Sequence, residues 1–204
     1  MLPDTPRPSA ARLYKIAWTV YLVLAIGGAV WMGLARGGLA LDQLLSPARW
    51  PRELAAGAAT GLALVGLWEL GRHTLGLARE LERVLADVLS GLPTADALAL
   101  ALISAFAEEL FFRGAVQGSL GIAVATVLFA LLHTGPGRAF WLWTVFAAVA
   151  GLAFGLLVRH FGTLLAPMTA HLVVNAVNLT RISRVRPESS EGPDPPGPSG
   201  SGDA

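Results

Sequence analysis

Cysteine and charged residues are what this sequence has least of. None of the 204 residues is a cysteine, which excludes disulfide bonds, zinc–thiolate sites and a cysteine nucleophile. Only 14% of the residues are charged, against about 25% in a typical soluble domain. The formal net charge of +1 gives no field that would attract nucleic acid. The composition therefore argues against a soluble globular enzyme and against a nucleic-acid partner.

Long apolar runs take the place of the missing charge. Hydrophobic residues make up 54% of the chain, and the mean hydropathy is +0.59. The run over 14–35 is long enough to cross a hydrocarbon core about 30 Å thick. Further apolar helices are predicted at 54–70, 95–117, 122–133, 140–158 and 167–179. The sequence thus predicts an all-α, polytopic integral membrane bundle of about six membrane helices.

One segment between these runs has a different pattern. Over 72–90, leucine and valine recur every three to four residues with charged residues between them. This spacing predicts an amphipathic helix that lies at the membrane interface or extends the second span into water. We divide the chain into two spans with the amphipathic helix (1–91), a catalytic membrane core (92–182) and a disordered tail rich in Pro, Gly and Ser (183–204).

The distribution of basic residues predicts an orientation. With six crossings, 10 of the 15 lysine and arginine residues fall on the side of the two termini. The positive-inside rule then places both termini in the cytoplasm. The heavy use of Ala, Leu, Gly and Arg is typical of a GC-rich bacterial genome, so we expect the bacterial inner membrane. The segment 122–133 spans only about 20 Å, and its end and the following turn are therefore expected to dip into the bilayer.

Several polar residues lie inside the apolar runs, where a charge costs several kcal/mol unless it is paired or solvated. They are Glu108, Glu109, Arg113, His133, His171 and Asn175. Each also has a structural interpretation. Glu109 and Arg113, four residues apart on a helix, could simply neutralise each other, and His133 could lie at the interface. His171 and Asn175 could form one hydrogen bond between helices.

The spacing around one turn favours a functional interpretation. Glu108 lies 12 residues before Leu120, and His133 lies 13 residues after it. An antiparallel hairpin therefore brings the two side chains to nearly the same depth. A carboxylate that faces an imidazole could hold and deprotonate a water molecule, which is general-base chemistry. Phe129, one turn before His133, can pack beneath the imidazole.

These residues form three ordered motifs. They are Glu108-Glu109-Leu110-Phe111-Phe112-Arg113 (EExxxR), Phe129-Ala130-Leu131-Leu132-His133 (FxxxH) and His171-Leu172-Val173-Val174-Asn175 (HxxxN). Each motif alone is weak, but the ordered triplet on successive apolar helices resembles the CPBP (Abi) family. That family comprises CAAX proteases and bacteriocin-processing proteins and includes the type II CAAX prenyl endopeptidases. The resemblance covers about 92–179, without the first two spans and the tail.

The resemblance implies an intramembrane endopeptidase. Glu108 would be the general base, His133 would help to hold the attacking water, and His171 with Asn175 would stabilise the oxyanion. Glu109, Arg113 and Phe129 would orient the site. The family has also been described as metalloproteases. If a divalent metal such as zinc is used, its ligands would be Glu108, His133 and His171 with an open water position, and the sequence leaves this point open.

The apolar helices make the lipid bilayer one predicted partner, and the resemblance implies a peptide or membrane-protein substrate as the other. The alternative is a non-catalytic membrane scaffold or a bacteriocin self-immunity protein. The intact set of Glu, His, His and Asn favours the enzyme, since a scaffold needs no such buried polar groups. A transporter is disfavoured because six short crossings show no internal repeat.

Overall fold

The computed structural model describes residues 10–36 and 49–185. Within these two ranges the chain forms seven helices and no strand, which confirms the all-α class. The helices are α1 (Ala10–Arg36), α2 (Trp50–Thr74), α3 (Gly76–Leu89), α4 (Thr94–Leu120), α5 (Ile122–Leu132), α6 (Ala139–Phe161) and α7 (Leu165–Ile182). The loop at 37–48 and most of the predicted tail lie outside the described residues. The division into three regions stays a prediction.

The helices differ in their ability to cross a membrane. By length and composition, the 14–35 part of α1, the whole of α2 and the whole of α6 each qualify as a span. The pair α3 and α4 qualifies only together, with a bend of 110° between its members. α5 has 11 residues, and α7 is not among the candidate spans. The described part of the chain therefore holds three or four candidate spans, fewer than the six membrane helices predicted.

α4 changes from one helix type to another beside Glu108 and Glu109. The helix is α-helical over Thr94–Glu108, π-helical over Glu109–Gln117 and α-helical again over Gly118–Leu120. A π segment is rare and often marks a functional site. The sequence predicted one regular helix over 95–117, because the spacing of apolar residues carries no signal for a wider turn. Gly121, with a φ of +88°, then ends α4 and begins the turn into α5.

Two glycine pairs allow the closest contacts between helices. A Cβ atom on Gly61 of α2 would lie 2.7 Å from the carbonyl oxygen of Ala170 in α7. One on Gly151 of α6 would lie 3.1 Å from the ring of Phe129. The close approach that GxxxG spacing permits therefore brings α2 against α7, and α6 against α4 and α5. The contact with α2 helps to fix the position of α7, the helix that carries His171.

α3 lies against the bundle through one face. Its buried residues Ala78 and Leu81 form a cluster with Trp68 of α2 and Ala139 of α6. Its opposite face, which includes Val84, is exposed. The amphipathic helix predicted over 72–90 is therefore present, and it is separate from α2. Arg72 belongs to α2, so the helix begins four residues later than predicted.

Candidate active site

Glu108 and His133 face each other across the turn between α4 and α5. Glu108 Oε2 lies 3.8 Å from His133 Nε2. The last carbonyl groups of a helix have no partner within the helix, and the carbonyl oxygen of Phe129 lies 2.7 Å from His133 Nδ1. Because a carbonyl only accepts, Nδ1 is the donor, and a neutral ring then carries its lone pair on Nε2. Two acceptors 3.8 Å apart can each receive one hydrogen of a water molecule between them.

His171 lies between the two glutamates of α4. Its Nδ1 donates to Glu109 Oε1 at 2.9 Å, and its Nε2 lies 4.0 Å from Glu108 Oε2. Both carboxylates are buried, and the histidine is 4% exposed. The ring stacks on Phe154 of α6, with 5.2 Å between the centroids. The hydrogen bond and the ring contact together leave Nε2 as the only nitrogen of His171 that faces Glu108.

Arg113 is the buried counter-charge of the site. Its Nε lies 3.2 Å from Glu109 Oε2, and its Nη2 donates to the carbonyl oxygen of Gly151 at 3.1 Å. The guanidinium also lies over the ring of Phe129, 4.4 Å from the centroid, in a cation–π contact. A buried charge that lost such partners would destabilise the fold strongly. Glu109 and Arg113 therefore form the ion pair that the structural interpretation of their spacing predicted. Glu109 also accepts the hydrogen bond from His171.

Asn175 is held by a hydroxyl cluster. Its Nδ2 donates to Ser104 Oγ at 2.9 Å, and Ser104 in turn donates to the carbonyl oxygen of Ala101 at 3.1 Å. Tyr21 of α1 lies close to both Ser104 and Glu108. Asn175 and His171 thus each bond α7 to α4, which agrees with the structural interpretation that these two residues join helices.

The site opens into a partly open apolar recess of about 90 Å³. His133, His171 and Asn175 line this recess. The remaining wall comes from α2, α3, α5, α6 and α7 and is almost entirely apolar, with Asn178 of α7 as an exception. Trp143, also in this wall, lies parallel to the ring of His133, with 6.2 Å between the centroids. The polar residues of the site therefore border a largely apolar cavity.

The residues present do not fit a resident metal ion. Over 10–36 and 49–185, no group of three or more His, Asp or Glu side chains is arranged to hold one. The steps proposed below therefore use only the side chains of the protein.

The structure brings together every site residue that the sequence singled out. Glu108, Glu109, His133 and His171 are linked by short contacts, Arg113 and Phe129 support them, and Asn175 lines the same recess. The sequence did not identify the supporting residues Ser104, Tyr21, Phe154 and Trp143. Only Ser104 carried a signal, because it lies four residues before Glu108 and so shares a helix face with it.

The fold and the site define a helical integral membrane protein with a buried cluster of carboxylates and histidines. Residues 90–177, somewhat less than half of the chain, match the family model "Type II CAAX prenyl endopeptidase Rce1-like". The resemblance inferred from the three motifs is thus supported by an independent match, and this segment is similar to that family.

A relative and the solved structures complete the comparison. The uncharacterized protein YpbD of Bacillus subtilis (strain 168) is 41% identical over 80 residues, which is 38% of this chain and 41% of that protein. The chain thus matches about two fifths of the length of this curated relative. No solved structure matches the chain significantly.

Proposed function

We propose that the protein is an intramembrane endopeptidase that hydrolyses a peptide bond of a membrane-associated protein or peptide by activating a water molecule with Glu108. The observation that carries this proposal is the 3.8 Å separation between Glu108 Oε2 and His133 Nε2, beside an apolar recess that His133 also lines. The match to the type II CAAX prenyl endopeptidase model supports the same reaction class.

The water is proposed to donate one hydrogen to His133 Nε2 and the other to Glu108. Its remaining lone pair is then free to attack the substrate carbonyl carbon. Glu108 takes up a proton as the carbon–oxygen bond forms. When the carbon–nitrogen bond breaks, the protonated Glu108 returns that proton to the leaving amine. The products are a new carboxyl terminus and a new amino terminus.

His171 and Asn175 are proposed to bind the oxyanion of the tetrahedral intermediate. His171 would donate through Nε2, because its Nδ1 is already used by Glu109. Asn175 would supply the second donor from the amide hydrogen that Ser104 does not use. Each such donor typically contributes about 3 kcal/mol to the transition state.

Replacement of the proposed base tests this function. Purified protein in detergent micelles is incubated with tryptic peptides of bacterial membrane proteins, and new peptide termini are identified by mass spectrometry. We expect Glu108→Gln and His133→Ala to lower the yield of new termini at least about 100-fold, because each removes a group that handles the water. Asp96→Asn, on the same helix as Glu108, is the control and should leave cleavage unchanged.

Cleavage by Glu108→Gln at the wild-type rate would contradict the assignment of the base. If wild-type protein produces no new termini at all, the non-catalytic scaffold becomes the better interpretation. The peptidase and the scaffold are thereby distinguished in one set of measurements.

A further inference from the structure

Part of the wall of the recess is formed by residues that lie outside 90–177, the segment that matches the endopeptidase model. Leu85 and Leu89 of α3 and Trp68 of α2 line this wall. The recess therefore combines catalytic candidates from the matched domain with apolar side chains from the segment that precedes it.

Two contacts hold α3 in this position. Glu82 of α3 forms an ion pair with Arg181 of α7 and accepts a hydrogen bond from Trp68 Nε1 at 3.4 Å. Arg72 of α2 lies 3.9 Å from the same carboxylate oxygen. α3 is thus bonded to α2 and to α7, and these bonds keep Leu85 and Leu89 in the wall.

The shape and polarity of the recess limit what it can hold. Ala147 and Ala150 of α6 also line it, and their short side chains leave room that larger residues would fill. A charged or polar side chain placed there would lose its hydration without gaining a partner, which is costly. An apolar side chain would instead be stabilised by burial, by about 1.5–3 kcal/mol for a residue such as leucine or phenylalanine.

We propose that Leu85, Leu89 and Trp68 form a specificity pocket that binds a large apolar side chain of the substrate next to the cleaved bond. The inference rests on the proposed peptidase function. The occupant is a peptide side chain because the recess is continuous with His133, His171 and Asn175, so whatever fills it lies beside the hydrolysed bond. α3 thereby selects the substrate, while the matched domain supplies the chemistry.

Changing the size of Leu85 tests the pocket. The tryptic peptide pool described above is used again, and the residues on either side of each new cut are counted. Wild-type protein should cut next to Leu, Ile, Met, Phe or Trp. Leu85→Trp, which narrows the pocket, should shift the ratio of large to small residues at the cut at least about tenfold towards Ala and Val. Leu85→Ala, which widens it, should shift the profile towards Phe and Trp.

Two variants serve as controls. Val84 lies next to Leu85 in sequence but is exposed on the other face of α3, and Val84→Ala should keep the wild-type profile. Leu89→Ala changes the same wall one helical turn after Leu85 and should shift the cuts towards larger residues. The inference therefore stays testable if Leu85→Trp fails to fold.

The outcomes separate the pocket from the proposed function. If cutting depends on Glu108 but its residue profile is the same in the Leu85, Leu89 and Val84 variants, the pocket is wrong and the peptidase function stands. The same conclusion follows if all peptides are cut more slowly with no change in profile, as expected if lipid fills the recess. If no cut depends on Glu108, the proposed function fails, and the pocket fails with it.

Discussion

Ser104 links Asn175 to the backbone through its hydroxyl. A serine hydroxyl offers one donor and two acceptor positions. The donor is used by the carbonyl oxygen of Ala101, and one acceptor position is used by Asn175 Nδ2. Ser104 can therefore accept only a donor from Asn175, and this fixes which end of the Asn175 amide faces the serine.

A double-mutant cycle tests this positioning role. Ser104→Ala should lower kcat about 10-fold to 100-fold on a single peptide chosen from the pool, with little change in KM, because Asn175 would act only on the transition state. Asn175→Ala should lower kcat by a similar or larger factor. The double variant should be no slower than Asn175→Ala alone, since the serine acts through the asparagine.

Ser119→Ala, at an exposed position of α4, is the control for the loss of a hydroxyl and should behave as wild type. If the loss of kcat in the double variant equalled the product of the two single losses, Ser104 would act independently of Asn175.

The sequence could predict some contacts of the site but not others. The proximity of Glu108 and His133 follows from counting residues on either side of one turn, which is a local argument. Tyr21 contacts Ser104 across more than 80 residues of chain, and that contact depends on how α1 packs against α4. Helix periodicity describes one helix at a time, so it gives no information about such contacts.

At the scale of elements, α3 depends on a cluster of charges for its position. Glu82 is paired with Arg181, which also donates to Glu69 Oε2 at 2.6 Å. Glu69 is in turn paired with Arg72. The cluster joins α2, α3 and α7, and its members are partly shielded from solvent, with Glu82 only 17% exposed. A shielded network of this kind is worth more than a single exposed ion pair.

We expect Glu82→Gln to loosen α3 without unfolding the bundle. Amide hydrogen exchange over 76–89 should accelerate about fivefold, which corresponds to about 1 kcal/mol of local stability, while exchange in α4 and α7 stays the same. Glu80→Gln is the matched control, because Glu80 pairs only with the highly exposed Arg138. Equal acceleration in both variants would mean that the charge cluster does not hold the helix.

The elements also show what a local pattern can and cannot predict. The spacing of Leu77, Leu81 and Leu85 was sufficient to predict the amphipathic helix. It could not identify Trp68 and Phe146 as the surface against which that helix packs, because partners distant in sequence leave no local pattern. The π segment of α4 was missed for a related reason, since its apolar spacing also suits an α-helix.

For the whole molecule, the orientation in the membrane is a prediction that α6 can test. Pro136 precedes α6 and His160 lies in its last turn, and both residues are exposed. Because α6 qualifies as a span, its two ends should lie on opposite sides of the bilayer. The chain contains no cysteine, so single cysteines can be labelled without background.

We expect Pro136→Cys to react with a membrane-impermeant maleimide only after cells are opened, and His160→Cys to react in intact cells. This result would follow from the predicted arrangement of six crossings, in which the excess of basic residues lies on the side of the termini. Labelling of Pro136→Cys from outside would reverse the orientation and place the turn that follows His133 on the outer face. Labelling of both positions from outside would show that α6 does not cross.

The length of α5 has a consequence for the lipid around it. Eleven residues cover about 16 Å, roughly half of a hydrocarbon core about 30 Å thick. Its exposed residues Val124, Val127 and Leu131 offer acyl chains an apolar surface over that distance only. The neighbouring leaflet must therefore thin or bend, and this costs more free energy in bilayers with longer acyl chains. Membrane thickness thus acts mechanically on the end of the protein that carries His133, without contacting any residue of the site.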